Sequence, residues 1–167
     1  MHTRHFFSLC LIASLVLLSG CGPNLPDGMP RLYPVVITVT QEGQPLANCS
    51  VSLRYTDPSL GTWAIGGRTD AQGNAQLFTN GFPGAPEGTF KVVLVKHENI
   101  GLDARAEAEG RSDFAAARAI QVRLWSAIEL RYNDPATTPL EVEITPSTRT
   151  LSVDAGPAVQ IDLPLVP

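Results

Sequence analysis

The chain has 167 residues, with 12 Lys and Arg against 16 Asp and Glu, a formal charge of −4 and 44% hydrophobic residues. That balance, with no Lys/Arg cluster, excludes nucleic acid as a partner, because such binding needs a basic patch. It equally excludes an electrostatic hold on anionic lipid.

The N-terminus opens with the weakly basic His2-Thr3-Arg4-His5 and continues into an apolar run from Phe6 to Leu18. These are the charged and apolar regions of a secretory signal peptide. The run is shorter than the roughly 20 apolar residues that a permanent membrane-spanning helix needs. Leu18-Ser19-Gly20-Cys21 follows: a branched apolar residue, two small residues and a cysteine. This resembles the bacterial lipobox, in which the small residues admit the signal peptidase and the cysteine sulfur becomes a thioether to diacylglycerol. The resemblance implies a lipoprotein bearing palmitate-type chains on Cys21, with the membrane as its partner. The other reading is an ordinary cleaved signal peptide with Cys21 as an incidental thiol. Several chains make such an anchor stable, since each buried CH₂ contributes about 0.8 kcal/mol and one chain holds only marginally. Gly22, where an Asp would retain the protein, points to the outer membrane or cell surface over the inner membrane.

Removing residues 1–20 leaves 147 residues, and the loss of Arg4 takes the charge from −4 to −5. That length is one ordinary domain, able to bury a core without covalent staples. Cys10 leaves with the signal peptide and Cys21 carries lipid, so Cys49 stands alone and no disulfide framework exists. Cys49 then reads as a small buried hydrophobe.

Residues 21–30 are rich in Pro and Gly and read as a tether, with the folded domain spanning 31–167. Beyond the tether, period-two patterns recur. Tyr33, Val35, Ile37 and Val39 alternate with Pro34, Val36, Thr38 and Thr40, and Gln41–Pro45 breaks the strand. Cys49, Val51, Leu53 and Tyr55 alternate with polar residues, which places Cys49 on the inner face. Thr69–Asn74 is a turn signal, followed by strands at Ala75–Thr79 and Thr89–His97. Leu140–Thr145, Arg149–Asp154 and Val159–Leu165 supply the last three. Seven short strands separated by turns predict an all-β sandwich. The stretch 99–127 breaks the pattern: Ser112-Asp113 is a helix N-cap signal, and Phe114, Ala117, Ile120, Leu124 and Ile128 have near-helical spacing. Ile120, Val122 and Leu124 also alternate, so the second half fits an extended strand as well. It reads as one irregular or short helical excursion.

The order of these signals resembles the small bacterial lipoproteins with a carboxypeptidase regulatory-like, transthyretin-like domain. The matching pieces are Leu32–Val35, Val39–Ala47, Thr69–Gly73, Gly84–Val92 and Tyr132–Leu140, spread over most of the mature chain. The resemblance implies a seven-stranded prealbumin-like or Ig-like sandwich that serves in folding, adhesion or interaction and performs no reaction. Cys49, at a position that family fills with a small residue or Val, and the stretch 99–127 depart from its pattern.

Related sandwiches include enzymes, so the catalytic case has to be weighed. An intradiol-type dioxygenase site needs two Tyr and two His, and a transthyretin-like hydrolase needs several histidines. With His2 and His5 in the signal peptide, only His97 remains, at a strand end beside Glu98. Asp57, Asp70, Asp134 and Asp154 each lie in a turn beside Pro or Gly, far from the six to eight gathered oxygens of a calcium site. No catalytic set, cofactor or metal is expected. The binding candidates are Trp63, in the 57–67 loop, and Trp125, in the excursion; exposed aromatics stack on sugars or anchor a partner, and the plainer reading places them in the core. The expected role is a non-enzymatic interaction or structural module at the cell envelope, with an envelope protein or a glycan as partner; the alternative is a carbohydrate- or peptide-binding module.

Overall fold

The alternation of apolar and polar residues becomes two packed sheets in the computed structural model, which describes residues 25–164. The signal peptide, Cys21 and residues 22–24 lie outside the described residues. Residues 25–30 of the tether carry a turn, closed by a 3.0 Å bond from Met29 N to Pro26 O.

The larger sheet is built on β4 (Ser50–Tyr55) and β10 (Gly88–Val95), paired antiparallel with Leu53 opposite Val92. Beyond β10 lies β13 (Glu141–Ile144), and beyond β4 lie β5 (Ile65–Arg68), β7 (Phe78–Thr79) and β8 (Phe82–Pro83). The facing sheet centres on β2 (Val36–Gln41), flanked by the parallel β14 (Thr150–Asp154) on one side. On the other side it meets β6 (Asn74–Gln76) and its own hairpin partner β3 (Gln44–Pro45). Short pieces β1 (Leu32–Tyr33) and β9 (Ala85–Pro86) pair at the rim.

Residues of one parity fill the space between the sheets. Ile37, Val39, Cys49, Leu53, Phe90, Val92 and Leu94 are each sealed from solvent. Burying one such side chain contributes about 1.5–3 kcal/mol, so the seven predicted strands form because each has a single apolar face to hide. All seven are present, and Ile65–Arg68 adds a further one. Its Gly66-Gly67 pair presents no side chain for a period-two pattern to register. Counting β2, β4, β5, β6, β10, β13 and β14 in order, the first, fourth and seventh share one sheet and the other four share the second. An immunoglobulin sandwich instead groups the first, second, fourth and fifth.

The two sheets are joined at Leu77. The strand runs along β2 as β6, bends, and continues along β5 as β7, a sheet switch of the kind that closes sandwich corners. Leu77 is fully buried at the bend, its N–H bonded to Val35 O at 3.1 Å and its carbonyl accepting from Gly84 N at 2.8 Å. β6 therefore passes so close to β5 that a Cβ on Gly67 would lie 2.3 Å from the carbonyl oxygen of Gln76.

The excursion is a helical hairpin on a small sheet. β11 (His97–Ile100) pairs with β12 (Arg123–Ser126), which pairs with β15 (Ile161–Asp162). Between them stand α1 (Leu102–Gly110) and α2 (Phe114–Ala119). Asp113 caps α2, its carboxylate accepting from Ala116 N at 3.1 Å. Helical spacing beyond Ile120 gives way to strand, because there the backbone pairs with β11 and β15. Phe114 is 59% exposed, and within α2 only Ala117 is buried, so the helical spacing does not mark a core face. Exposed i,i+4 pairs of Arg105 with Glu109 and Arg111 with Glu107 lace α1.

A Gly67→Ala substitution should lower stability by about 1–3 kcal/mol, as overpacking does, whereas Gly110→Ala, where a Cβ meets nothing within 4 Å, should be close to neutral. Urea unfolding midpoints of the two variants check this; equal midpoints would show that the close strand crossing is not tight.

Candidate functional site

A cleft forms where β4 ends and the 57–67 loop begins. Arg54 and Tyr55 are the last residues of β4, and alternation turns Arg54 outward and Tyr55 toward the core. Tyr55 packs on Phe90 with ring centroids 4.5 Å apart. The chain then enters a single 3-10 turn at Pro58–Leu60, capped by the Asp57 carboxylate accepting from Ser59 N at 2.9 Å. Bonds from the Ser59 hydroxyl and backbone N–H hold the Asp57 carboxyl below the ordinary carboxylate range. Gly61, at φ 124°, leaves the loop in a conformation that a side chain would strain, and a Cβ there would touch the Trp63 indole at 3.2 Å. Reciprocal bonds then clamp the loop to the β7–β8 turn: Asn80 N donates to Ala64 O at 2.9 Å, and Ala64 N donates to Asn80 Oδ1 at 3.1 Å.

These elements enclose a cleft of about 430 Å³ between Arg54, Tyr55, Pro58 and Trp63. Sites for small ligands range over roughly 300–1,000 Å³. A shallower hollow of about 400 Å³ continues from it across the outer face of β4, β5 and β7, sharing Arg54 and Ala64. Its floor is Ser50, Ser52 and Gly66, and Phe78, 39% exposed, stands at its side. Burial, and secondarily the charge of Glu87, raises the Tyr55 phenol above its ordinary value.

Trp63 is half-buried, one edge packed against the core and one lining the cleft. Trp125 is also half-buried, but it sits on β12 opposite Glu98 and Asp162. The structure places Trp63 in the loop before β5 and Trp125 in β12, and Trp125 does not line the Trp63 cleft, so the two do not share it. Arg54, Tyr55 and Phe78 are the site residues that sequence reading passed over. Only the outward position of Arg54 and the side-chain-free Gly66 hinted at them.

The carboxylates are engaged in turns. Asp70 accepts from Gln72 N and Asn74 N at 2.9 and 2.8 Å. Asp134 accepts from Ala136 N and Asp154 from Gly156 N, each at 2.8 Å. His97 is exposed at the start of β11. Among the described residues no three His, Cys, Asp or Glu side chains converge as metal ligands, and no helix is long and apolar enough to cross a membrane. Cys49 is free and fully buried, and burial pushes its thiol up to about 11.

No family model, curated protein or solved structure matches this chain.

The thiol has a pH consequence. Its folded pKa lies above the ordinary 9.0, so its contribution to stability is fully present below pH 9 and is lost as pH rises toward about 11. Between those limits the wild type should lose on the order of 2–3 kcal/mol relative to Cys49→Ala. Urea unfolding of both proteins from pH 8 to 11 tests this, and parallel curves would count against it. At pH 8 the native thiol should also resist an aromatic disulfide reagent that labels it at once in denaturant.

Proposed function

We propose that this chain is a lipoprotein held at the bacterial cell envelope through Cys21, whose β-sandwich acts as a non-enzymatic interaction module of the carboxypeptidase regulatory-like, transthyretin-like kind. The observation that carries the interaction role is the cleft at Trp63. A loop fixed by a cap, a glycine and two reciprocal bonds to Asn80 holds an indole half-open beside Arg54 and Tyr55. A loop held in this way pre-organises a binding surface, which lowers the ordering cost of association. The strand grouping differs from that of an immunoglobulin sandwich, which counts against the immunoglobulin side of the resemblance. The anchor rests on the lipobox-like Leu18-Ser19-Gly20-Cys21 and its apolar leader.

A carbohydrate- or peptide-binding role is the second reading, favoured by the aromatic and polar lining of the same cleft. It rests on Trp63 and the 57–67 loop; Trp125, on β12, lies outside that cleft.

Two experiments test the proposal. Cells fed labelled fatty acid should label the wild type and leave Cys21→Ala unlabelled; equal labelling removes the anchor. A photo-crosslinking residue placed at Thr62, in the cleft, should give a discrete adduct in intact cells, and the same residue at Thr137 should give none. Absence of any adduct at Thr62 removes the interaction role for this face.

A further inference from the structure

Two arginines single out one face of the larger sheet. Among the described residues, Lys91, Lys96, Arg105, Arg111, Arg123 and Arg131 are in ion pairs. Arg149 bonds backbone carbonyls, and Arg31 lies over the Tyr33 ring. Arg118 ends α2, where the helix dipole favours a cation. Arg54 and Arg68 have no such partner, and both are exposed. Alternation and register put them on one face: Ser50, Ser52 and Arg54 along β4, with Gly66 and Arg68 along β5 and Ser50 opposite Arg68. The four-residue offset from Ser50 to Arg54 separates the two guanidinium rows by roughly 14 Å. Arg54 lines the hollow floored by Ser50, Ser52 and Gly66, with Phe78 at its side and Trp63 at the Arg54 end, and Arg68 stands next to it, opposite Ser50. Neither guanidinium meets an internal anion among the described residues, so both donor forks face outward and are available to a carboxylate from outside.

The floor decides which kind of anion. β4 is paired to β10 on one side and β5 on the other, and β5 is paired to β4 and β7. Along β4 the groove therefore crosses the interior of a sheet, where an extended peptide cannot add as a further strand. Recognition must come from side chains alone: two guanidinium forks, two serine hydroxyls, and aromatic faces beside them. That set matches sugar carboxylates, sugar hydroxyls and the apolar faces of pyranose rings.

We propose that this groove, from Trp63 and Arg54 to Arg68, binds a carboxylated oligosaccharide of about three sugar units, its acid groups held by Arg54 and Arg68. The inference rests on the reading of this face as an interaction surface and names its ligand.

The test uses the purified full chain in detergent on an array of uronate- and ulosonate-bearing oligosaccharides, their neutral counterparts and a hexaglutamate peptide. Binding should be confined to the carboxylated sugars. R54Q and R68Q should each weaken it about tenfold or more, as loss of a charged hydrogen bond does, and R118Q should leave it unchanged. Thermal unfolding of the two groove variants should match the wild type, since both side chains are exposed. Equal binding of neutral sugars, equal binding of hexaglutamate, or indifference to R54Q and R68Q would overturn the assignment. A blank array together with a Thr62 adduct in cells would overturn the glycan and leave the interaction module standing; a blank array with no adduct would remove both.

Discussion

The architecture depends on one strand serving two sheets. Residues 74–79 hydrogen-bond to β2 before Leu77 and to β5 after it, so Leu77 is both a core side chain and the corner of the sandwich. A corner of this kind works only if the neighbouring strand yields space, and Gly67 yields it by having no side chain. The cost is a strand that packs little of its own, since glycine inside a strand weakens it. The bonds of Leu77 to Val35 and Gly84 offset that loss by tying the corner to both the facing sheet and the rim.

The same glycine pair shapes the outer surface. Gly67 faces inward and admits β6, while Gly66 faces outward beside Ser52 and leaves the hollow over β4 and β5 flat. A sheet closed at the corner gives the 57–67 loop a fixed base, and Asn80, in the turn just beyond that corner, clamps the loop. The Trp63 cleft thus inherits its rigidity from packing at Leu77. The helical hairpin at 102–119 differs in kind: it buries only Ala108 and Ala117 and joins the rest of the domain through the β11–β12 pairing.

Much of this was legible in the chain because a half-buried strand writes its inner face into the sequence at period two. Val35–Val39, Cys49–Tyr55 and the strands after residue 140 were read in that way, and Cys49 points inward as its parity required. β5 was invisible because two of its four residues have no side chain. Val159–Leu165 was read as a strand and the second half of the excursion as helix or strand, but the pairing of β11, β12 and β15 was not legible, because its partners are more than twenty residues apart and pair through backbone groups, which are the same in every sequence. Asp113 was legible as a cap because its chemistry is local; the extent of α2 was not, because pairing of β12 overrides helical spacing beyond Ile120. At the site, Trp63 stood out by residue type alone. Arg54 and Arg68 did not, since an arginine's lack of a partner shows only once the chain is folded and its neighbours are in place.

Native-state hydrogen exchange tests the corner most directly. If one strand holds both sheets together, the amide of Leu77 should exchange only with global unfolding, at the same free energy as the amides of Val92 and Leu53 in the middle of the larger sheet. Exchange of Leu77 through a local opening several kcal/mol below that limit, with β4 and β10 still protected, would contradict the account.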